Sequence, residues 1–479
     1  EPALLTHRSA IDLARAIRRR EVSSVEVVEA HIAVLERIRE RNALAADRFD
    51  AARAEAAAAD ARIAASSTSE ELPPLLGVPA TVKELIAVEG MPHTGGFPHR
   101  RRFREPADAP AVARLRAAGA VVLGVGNSAG PFYWIESNNR VYGRAGNAYD
   151  PERTAGGSSG GDGAIVGSGG APIALGSDMG GSVRVPAFVN GVFGHLPSPG
   201  LVPITGHFPM PAGAIRRTLF LGPLARRAED LAPVLRVISG PDGEDPNAVD
   251  LPLGDPHAVD VAGMRVLVSR ESSTMPLRPV ISGAVDCAAA LLDGAGARVE
   301  EVTLRGLRWA LAQFAAVAWS EFDLLASWTE VTAPTRPRSR RRPLAVSAPA
   351  RLLHLVEAAP ARFVRTRTTR RIVDSARRAA DSLAETIGDG VLLYPPFPRV
   401  APRHRTTLGQ PWLATNTAVF NMFGLPATQV PLGLTDEGLP LGVQVVAAPG
   451  NDHVGIAVAL ELERSGGGWV DPQDVAGRH

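Results

Sequence analysis

The sequence predicts an α/β fold in which a mixed, twisted β-sheet forms the core and helices cover both of its faces. The first observation behind this prediction is the alternation of short apolar stretches with amphipathic stretches of helical period along most of the chain. The second is size, because 479 residues, of which 45% are hydrophobic, can bury a large core. We expect one domain over residues 1–479.

Helices are expected over the first 70 residues. Ser9 and Ser23 each precede an acidic residue by three positions, which is the spacing of a capping box at a helix start. An apolar stripe at helical period follows, made of Val28, Ile32, Leu35 and Ile38. Residues 9–64 are therefore predicted to be helical throughout.

Strands and helices alternate in the next part of the chain, residues 75–240. Residues 75–82 favour a buried strand, with Lys83 directly after its end. A helix is predicted to begin near Pro110 and to end at Gly119, followed by a short strand at 120–123. Further elements are predicted later in the chain: strands at 171–176, 265–269, 298–304, 391–394, 427–432 and 441–446, and helices at 281–293 and 453–464.

Residues 305–390 differ in composition from the rest, and we expect a variable helical region on the substrate side of the fold. This region opens with an aromatic series made of Trp309, Phe314, Trp319, Phe322 and Trp328. Packing in the core is the simplest interpretation, because aromatic side chains dominate cores; the lining of an apolar substrate channel is the alternative. Arginines are concentrated at 336–371, which favours a solvated surface over contact with an anionic membrane.

Composition argues against several classes of function. The formal net charge is +1, which gives no reason to expect nucleic acid as a partner. The single cysteine, Cys287, excludes an internal disulfide, and its apolar surroundings favour a place in the core. No apolar run reaches the ~18 residues of a membrane helix, and no secretory signal is visible. We expect a cytoplasmic protein, with an upstream signal or anchor left open because the chain begins at Glu1.

Two serine sites with glycine neighbours stand out within residues 153–199. The first is Gly-Gly-Ser-Ser-Gly-Gly at 156–161, and the second is Gly-Gly-Ser at 180–182. Because glycine has no Cβ, backbone N–H groups beside such a serine can point into a pocket and stabilise an oxyanion. A phosphate-binding loop is the alternative, but no Gly-Lys-Ser/Thr follows either site.

A histidine base is one option for activating a serine. Gly157-x-Ser159-x-Gly161 matches the nucleophile elbow of α/β-hydrolases, in which a carboxylate and a histidine complete the triad. That elbow needs a strand directly before it, whereas residues 147–155 are polar and resemble a loop. The candidate histidines downstream have no distinctive local context; those considered are His195, His354, His404 and His453.

A lysine base is the other option. Lys83 is the only lysine in the chain, and the arginines that supply most of the other cationic groups do not deprotonate. A solvated lysine, with a pKa of about 10.4, is a poor base at neutral pH, but burial lowers that pKa. Lys83 follows an apolar stretch, so burial is expected. The alternative is a solvent-exposed lysine paired with Glu84.

Three segments carry a resemblance to a known family. They read GVPATVKE at 77–84, GGSSGG at 156–161 and GSDMGGSVRVPAFVNGVFGH at 176–195. Together they resemble the amidase signature family. The segments GHLPSPG, NNRVYGRAGN and GGWVDP resemble its fatty acid amide hydrolase branch most. The match extends over nearly the whole chain, less securely at 305–390.

The resemblance implies a Ser–cis-Ser–Lys triad in place of Ser–His–Asp. In this family pattern Ser182 matches the nucleophile, Lys83 the base, and Ser158, after a cis peptide bond, the serine that bridges them. The resemblance also implies an oxyanion hole formed by the backbone N–H groups of Met179, Gly180, Gly181 and Ser182. It further implies supporting hydrogen bonds near the triad, made by Ser159, Asp178 and Arg184.

The resemblance also implies an acyl pocket, for which Thr428 and the aromatic residues at 307–328 are secondary candidates. Four consecutive residues align with the pocket of the family: Phe132, Tyr133, Trp134 and Ile135. Four bulky apolar residues favour a hydrophobic or aromatic acyl group, with ordinary core packing as the alternative. Two departures from the family pattern each remove a lysine outside the triad. Leu196 stands where the family usually has the lysine of Gly-x-Lys-Pro, and residues 124–127 read Gly-Val-Gly-Asn in place of Gly-Lys-Thr-Asn.

The residues and the resemblance together predict a cofactor-independent amidase that cleaves a small-molecule carboxamide with a hydrophobic acyl or aryl group through an acyl-enzyme. We expect no metal, cofactor or nucleic acid as partner, and we leave a homodimer open. Two alternatives remain. One is a histidine-dependent esterase that uses Ser159. The other is a non-hydrolytic subunit, like the amidotransferase subunit similar to this family, which needs a partner chain.

Overall fold

A mixed β-sheet forms the centre of the structure, a computed structural model that describes residues 5–66, 72–130, 134–211, 214–272, 275–304, 307, 309–310, 312–313 and 367–476. The strands are β1 Leu44–Asp47, β2 Pro79–Lys83, β3 Val121–Gly126, β4 Asn138–Asn139, β5 Gly143–Arg144, β6 Ile173–Asp178, β7 Phe193–Leu196, β8 Phe220–Ala225, β9 Arg265–Val268, β10 Arg298–Glu301, β11 Val391–Tyr394, β12 Ala427–Leu434 and β13 Pro440–Val446. Eleven of them form one sheet in the order β1-β3-β2-β6-β8-β7-β12-β13-β11-β9-β10, and β4 pairs with β5 separately.

Twelve α-helices are found within the described ranges. They are α1 Ala10–Arg18, α2 Ser24–Arg37, α3 Phe49–Ala65, α4 Pro110–Ala117, α5 Gly160–Gly167, α6 Arg184–Val189, α7 Leu231–Ile238, α8 Pro279–Gly294, α9 Arg367–Ile387, α10 Thr415–Phe423, α11 Asp452–Arg464 and α12 Pro472–Ala476. The predicted α/β fold class is confirmed. None of the helices in the described ranges is long and apolar enough to cross a bilayer.

Three neighbouring strands, β3, β2 and β6, run parallel, so their carboxyl ends share one edge of the sheet. Lys83 is the last residue of β2, and Asp178 is the last residue of β6. Gly126 ends β3 and lies opposite Lys83 in register. Ligands of open α/β sheets bind outside the carboxyl ends of the strands. This edge is therefore where a site is expected.

The N-terminal helices begin with the caps that the sequence predicts. The Ser23 hydroxyl accepts the Glu26 N–H, and the Glu26 carboxylate accepts the Ser23 N–H, which completes a capping box. Ser9 also caps its helix by accepting the Asp12 N–H. The Asp12 carboxylate, however, pairs with Arg8 at 2.5 Å, so the first cap is one-sided.

The structure corrects several predicted strand limits. Residues 44–47 form β1 inside a stretch predicted to be helical. Residues 74–77 form a turn, and β2 begins only at Pro79 and ends at Lys83 itself. β7 and β8 are not among the strands predicted from the sequence. The first is only four residues long, and the second contains an internal glycine and proline, which are uncommon in strands.

Cys287 is exposed, which contradicts its predicted place in the core. It lies on α8, whose buried residues are Ile281, Ala284, Val285, Ala288, Ala289 and Leu292. This set recurs at helical period and turns Cys287 to the opposite face. Apolar neighbours in sequence therefore did not indicate the burial of this residue.

One large apolar cluster joins distant parts of the chain. It includes Leu13 of α1, Val82 of β2, Leu393 of β11 and Leu462 of α11. The helices at both ends of the described chain therefore pack on the same core as the central strands.

Candidate active site

Lys83 is completely buried at the end of β2, with 0% of its surface exposed. Its Nζ lies 2.6 Å from Ser158 Oγ, 2.9 Å from Ser177 Oγ and 3.2 Å from the Ser177 carbonyl oxygen. Burial lowers the pKa of Lys83 to about 7, although the carboxylates of Asp162 and Asp178 act to raise it. Burial thus shifts this lysine towards the unprotonated form that a general base requires.

Glu84 has partners of its own on the other side of the strand end. Its carboxylate accepts the N–H of Thr94 at 2.6 Å, the N–H of Gly95 at 3.2 Å and the hydroxyl of Tyr142 at 2.8 Å. Burial raises the pKa of Glu84. The alternative of a solvent-exposed ion pair between Lys83 and Glu84 is therefore wrong.

Ser158 lies in the turn before α5, and the Gly157–Ser158 peptide bond is cis. The Ser158 carbonyl oxygen accepts the Ala129 N–H at 3.0 Å and the Ser137 hydroxyl at 3.2 Å, which anchors the turn. Gly157 packs so closely on the backbone that a Cβ would clash with the Trp134 carbonyl oxygen. This close approach explains why the motif needs glycine beside Ser158.

Ser182 lies in the turn between β6 and α6, with 8% of its surface exposed. The Ser159 N–H donates to the Ser182 carbonyl oxygen at 3.2 Å, so the two serine sites predicted from the sequence are in contact. Within the described ranges, Ser182 Oγ makes no hydrogen bond. The structure therefore contains the hydrogen bond between Ser158 and Lys83, while the hydroxyl of Ser182 remains available to a reactant.

A buried ion pair organises the turn that carries Ser182. Asp178 Oδ2 lies 3.1 Å from Arg184 Nε, and both side chains are fully buried. The same carboxylate accepts the N–H of Gly181 at 2.6 Å and the N–H of Val183 at 3.1 Å. Burial alone would raise the pKa of Asp178, but Arg184 and these hydrogen bonds lower it to about 2. Asp178 is therefore ionised and fixes the backbone around Ser182.

The four predicted oxyanion donors differ in their partners. The Gly181 N–H is occupied by the carboxylate just described, whereas the N–H groups of Met179, Gly180 and Ser182 donate to no described residue. Gly181 has a φ of +115°, and a Cβ there would clash with Thr417 Oγ1. Three N–H groups of this turn are thus open to an oxyanion, and the fourth holds the turn in shape.

A second carboxyl group, on α5, acts electrostatically on Lys83. Asp162 is fully buried, and its two carboxyl oxygens have no hydrogen-bond partner in the described part of the chain. Burial raises the pKa of Asp162. Gly126 makes room for this group, because a Cβ at that position would clash with Asp162 Oδ1. The departure from the family pattern at Gly126 therefore accommodates a carboxyl group near the lysine.

Ser159, the serine of the elbow pattern, has no histidine partner among the described residues. Its hydroxyl donates to the Ser177 carbonyl oxygen at 3.2 Å. His195 instead lies 2.9 Å from Thr428 Oγ1 and 3.0 Å from Asp452 Oδ1, deep in the core. No strand precedes the turn, because residues 147–155 form turns and irregular structure.

The other candidate histidines also have separate environments. His404 Nε2 lies 3.0 Å from the Pro151 carbonyl oxygen. The ring of His453 packs directly against Gly254. His354 lies outside the described residues. The geometry therefore favours a lysine base over a histidine base.

Trp134 and Ile135, two of the predicted pocket residues, belong to an apolar cluster beside the helix that follows Ser182. This cluster includes Val185 and Phe188 of α6. The indole N–H of Trp134 donates to Thr407 Oγ1 at 3.0 Å, which fixes the ring. An apolar surface thus lies next to the candidate nucleophile.

The remaining predictions for the pocket have different outcomes. Phe132 and Tyr133 lie outside the described residues, as do four members of the aromatic series: Phe314, Trp319, Phe322 and Trp328. Trp309, the fifth member, is 64% exposed, so core packing is wrong for it. Thr428 is fully buried and uses its hydroxyl for His195, and its place in the pocket stays a prediction.

Sequence reasoning missed three residues around the lysine: Asp162, Ser177 and His207. Ser177 and Asp162 stand inside the glycine-rich region, but neither has a spacing that indicates contact with Lys83. His207 lies in the connection between β7 and β8 and reaches Ser177 Oγ at 2.9 Å only through the fold. The signal that marks these residues is the burial of polar side chains within 153–210. This burial is visible in the structure but not in the sequence.

Comparison with known proteins points to one family. A family model described as Amidase matches residues 26–454. The chain is 39% identical to fatty-acid amide hydrolase 2-B of Danio rerio, covering 97% of this chain and 90% of that protein. It is 38% identical to fatty-acid amide hydrolase 2 of Homo sapiens, covering 98% and 91%. The solved structure of a 6-aminohexanoate cyclic dimer hydrolase is similar with a TM-score of 0.80, 26% identity, and coverage of 96% and 97%.

Proposed function

We propose, from the premise that this chain belongs to the amidase signature family and is an amide-hydrolysing enzyme, that it cleaves carboxamides with a hydrophobic acyl or aryl group. The reaction proceeds through an acyl-enzyme on Ser182, with Lys83 as base and Ser158 as the bridging serine. The observation that carries this proposal is the buried Lys83 Nζ, which lies 2.6 Å from Ser158 Oγ. The contact between the turns of Ser158 and Ser182 supports it further.

In the acylation step, neutral Lys83 accepts the proton of Ser158, which in turn accepts the proton of Ser182. Ser182 Oγ then attacks the amide carbonyl carbon and forms a tetrahedral intermediate. Its oxyanion accepts hydrogen bonds from the open N–H groups of Met179, Gly180 and Ser182. The intermediate breaks its C–N bond, and the proton held by Lys83 returns through Ser158 to the leaving amine.

In the deacylation step, water replaces the amine. It loses a proton along the same route and attacks the acyl carbon. Breakdown of the second tetrahedral intermediate releases the carboxylic acid and returns a proton to Ser182. Asp178 and Arg184 do not exchange protons in this scheme. They hold the turn of Ser182 so that its N–H groups are in place before the substrate arrives.

The preference for an apolar acyl group rests on the cluster beside Ser182. Trp134 and Ile135 pack there with Val185 and Phe188, so an acyl chain entering next to the nucleophile would meet apolar surface. Two curated relatives carry the name fatty-acid amide hydrolase 2, which is consistent with a long acyl group.

The test is hydrolysis of para-nitroanilides of straight-chain acids, from acetyl to palmitoyl, by the purified chain. Rates are expected to rise with chain length. Ser182→Ala and Lys83→Ala should each reduce kcat by at least about 10³-fold. Ser239→Ala, on the loop after α7, is the matched control and should retain the rate. Wild-type activity in Ser182→Ala would disprove the proposal.

The same material separates the two alternatives. A fluorophosphonate probe should label the peptide that contains Ser182, whereas a histidine-dependent esterase would be labelled at Ser159. Turnover of an anilide by the purified chain alone would exclude a subunit that requires a partner.

A further inference from the structure

The environment behind Lys83 contains a histidine that the proposed mechanism does not use. His207 lies between β7 and β8, and only 4% of its surface is exposed. Its Nδ1 lies 3.1 Å from the Pro209 carbonyl oxygen, and its Nε2 lies 2.9 Å from Ser177 Oγ. Ser177 Oγ is in turn 2.9 Å from Lys83 Nζ. A continuous series of hydrogen bonds therefore connects His207 with the lysine.

The tautomer of His207 follows from its partners. A carbonyl oxygen only accepts hydrogen bonds, so Nδ1 must carry a hydrogen to contact Pro209. Burial, together with the nearby charge of Lys83, lowers the pKa of His207 well below its ordinary value, so the ring is neutral. Nε2 then carries a lone pair and accepts the Ser177 hydroxyl hydrogen. The oxygen of Ser177 is left as an acceptor towards Lys83.

This direction of the Ser177 hydroxyl fixes the lone pair of the lysine. A neutral amine has two N–H bonds and one lone pair. The two hydrogens of Lys83 point to Ser177 Oγ, at 2.9 Å, and to the Ser177 carbonyl oxygen, at 3.2 Å. The lone pair is then directed at Ser158 Oγ, at 2.6 Å. If the Ser177 hydroxyl rotated, it could donate to that lone pair and block the base.

We propose that His207 is a positioning residue that, through Ser177, holds the lone pair of Lys83 on Ser158. This inference rests on the proposed function, in which Lys83 is the base. The other titratable groups near the lysine are Asp162 of α5 and Asp178 of β6.

His207 itself is faced by the lysine and by His93. His93 in turn bonds the carboxylate of Glu105. Within the described ranges none of these groups accepts the Ser177 hydroxyl, whereas His207 Nε2 does, so His207 sets its direction.

The test compares two substitutions at one position. His207→Phe removes the acceptor but keeps a planar ring, whereas His207→Gln keeps an acceptor, since its amide oxygen can receive the Ser177 hydroxyl and its NH₂ can donate to Pro209. With decanoyl para-nitroanilide, His207→Phe should lower kcat about tenfold, the equivalent of one lost hydrogen bond, and leave KM within about twofold. His207→Gln should recover most of that loss. His207→Leu serves as the second acceptor-free variant if His207→Phe does not fold.

The pH profile distinguishes this role from a purely structural one, because loss of a structural contact would leave the pH dependence unchanged. In His207→Phe the released Ser177 hydroxyl can donate to the neutral amine and stabilise it. The acid limb of the kcat/KM profile should therefore move to lower pH, while the plateau falls. In a Ser177→Ala background, adding His207→Phe should change kcat by less than about twofold, because the effect travels through the Ser177 hydroxyl.

Three results would overturn the inference: wild-type kcat in both acceptor-free variants, equal losses in His207→Phe and His207→Gln, or additive losses in the double variant. Lys83→Ala distinguishes this failure from failure of the proposed function. If Lys83→Ala is inactive while His207→Phe has wild-type kcat, only the role of His207 is wrong. If Lys83→Ala is active, the proposed base is wrong and the role of His207 falls with it.

Discussion

At the scale of single residues, the chemistry of the site depends on one lysine in a chain whose other basic side chains are arginine or histidine. Burial supplies what the residue type lacks, because it moves the pKa of Lys83 to about 7. The sequence identified this lysine through its isolation and its apolar neighbours. It did not reveal Ser177 or His207, because the contact of Ser177 with Lys83 depends on the packing of two strands, and the contact of His207 with Ser177 depends on a distant connection.

Activity is predicted to rise with pH through a midpoint near 7. The lysine is a base only when it is unprotonated, so the active fraction increases as the pH passes its pKa of about 7. The measurement is kcat/KM for an anilide between acid and alkaline pH. A midpoint close to that of a solvated lysine, near pH ~10.4, would contradict the burial effect. A bell-shaped profile centred near the histidine pKa of ~6.5 would point to a histidine base.

Asp162→Asn provides the internal test of this pH dependence. The Asp162 carboxylate raises the pKa of Lys83, so its removal should lower that pKa and move the acid limb of the profile to lower pH. Asp47→Asn, at an exposed position in β1, is the matched control and should leave the limb in place. A shift to higher pH in Asp162→Asn would show that this carboxyl group does not act on the lysine by charge.

At the scale of elements, the sequence predicts local structure correctly where a single segment contains both partners of an interaction. The capping box of α2 is such a case, because Ser23 and Glu26 satisfy each other within one turn. Strands that are stabilised by pairing with distant strands are predicted less accurately. β8 pairs with β6 and β7, and this burial stabilises an internal glycine and proline that locally disfavour a strand.

Ser23→Ala is predicted to lower the free energy of unfolding by about 1 kcal/mol, because the Glu26 N–H loses its acceptor. Ser23→Gly should cost only a few tenths of a kcal/mol, roughly, since glycine is tolerated at this position. The measurement is the urea midpoint of each variant. A urea midpoint in Ser23→Ala equal to that of the wild type would show that the hydroxyl bond does not stabilise α2.

At the scale of the whole molecule, the site is assembled from segments that are far apart in sequence. Lys83 lies 75 residues from Ser158 and 94 residues from Ser177, which it also contacts. Periodicity and turn signals describe segments one at a time, so they predicted the α/β class but not this assembly. The resemblance of three segments to one family supplied the missing pairing of lysine and serines. The distances and contacts around these residues depend on the fold, so the three segments alone do not predict them.

The C-terminal segment is predicted to stabilise the entire core through Trp469. Only 9% of this residue is exposed; its indole N–H donates to the Gly167 carbonyl oxygen at 2.8 Å, and its ring packs against His7 and Arg226. Trp469→Ala should therefore cost about 3 kcal/mol of unfolding free energy, as for other buried aromatic residues. Trp309→Ala, at the 64% exposed tryptophan, should change it by less than about 0.5 kcal/mol.

Urea midpoints followed by both circular dichroism and activity should fall together in Trp469→Ala, because Trp469 contacts the helix that follows the turn of Ser158. A loss of helical signal with unchanged activity would show that this segment folds independently of the site.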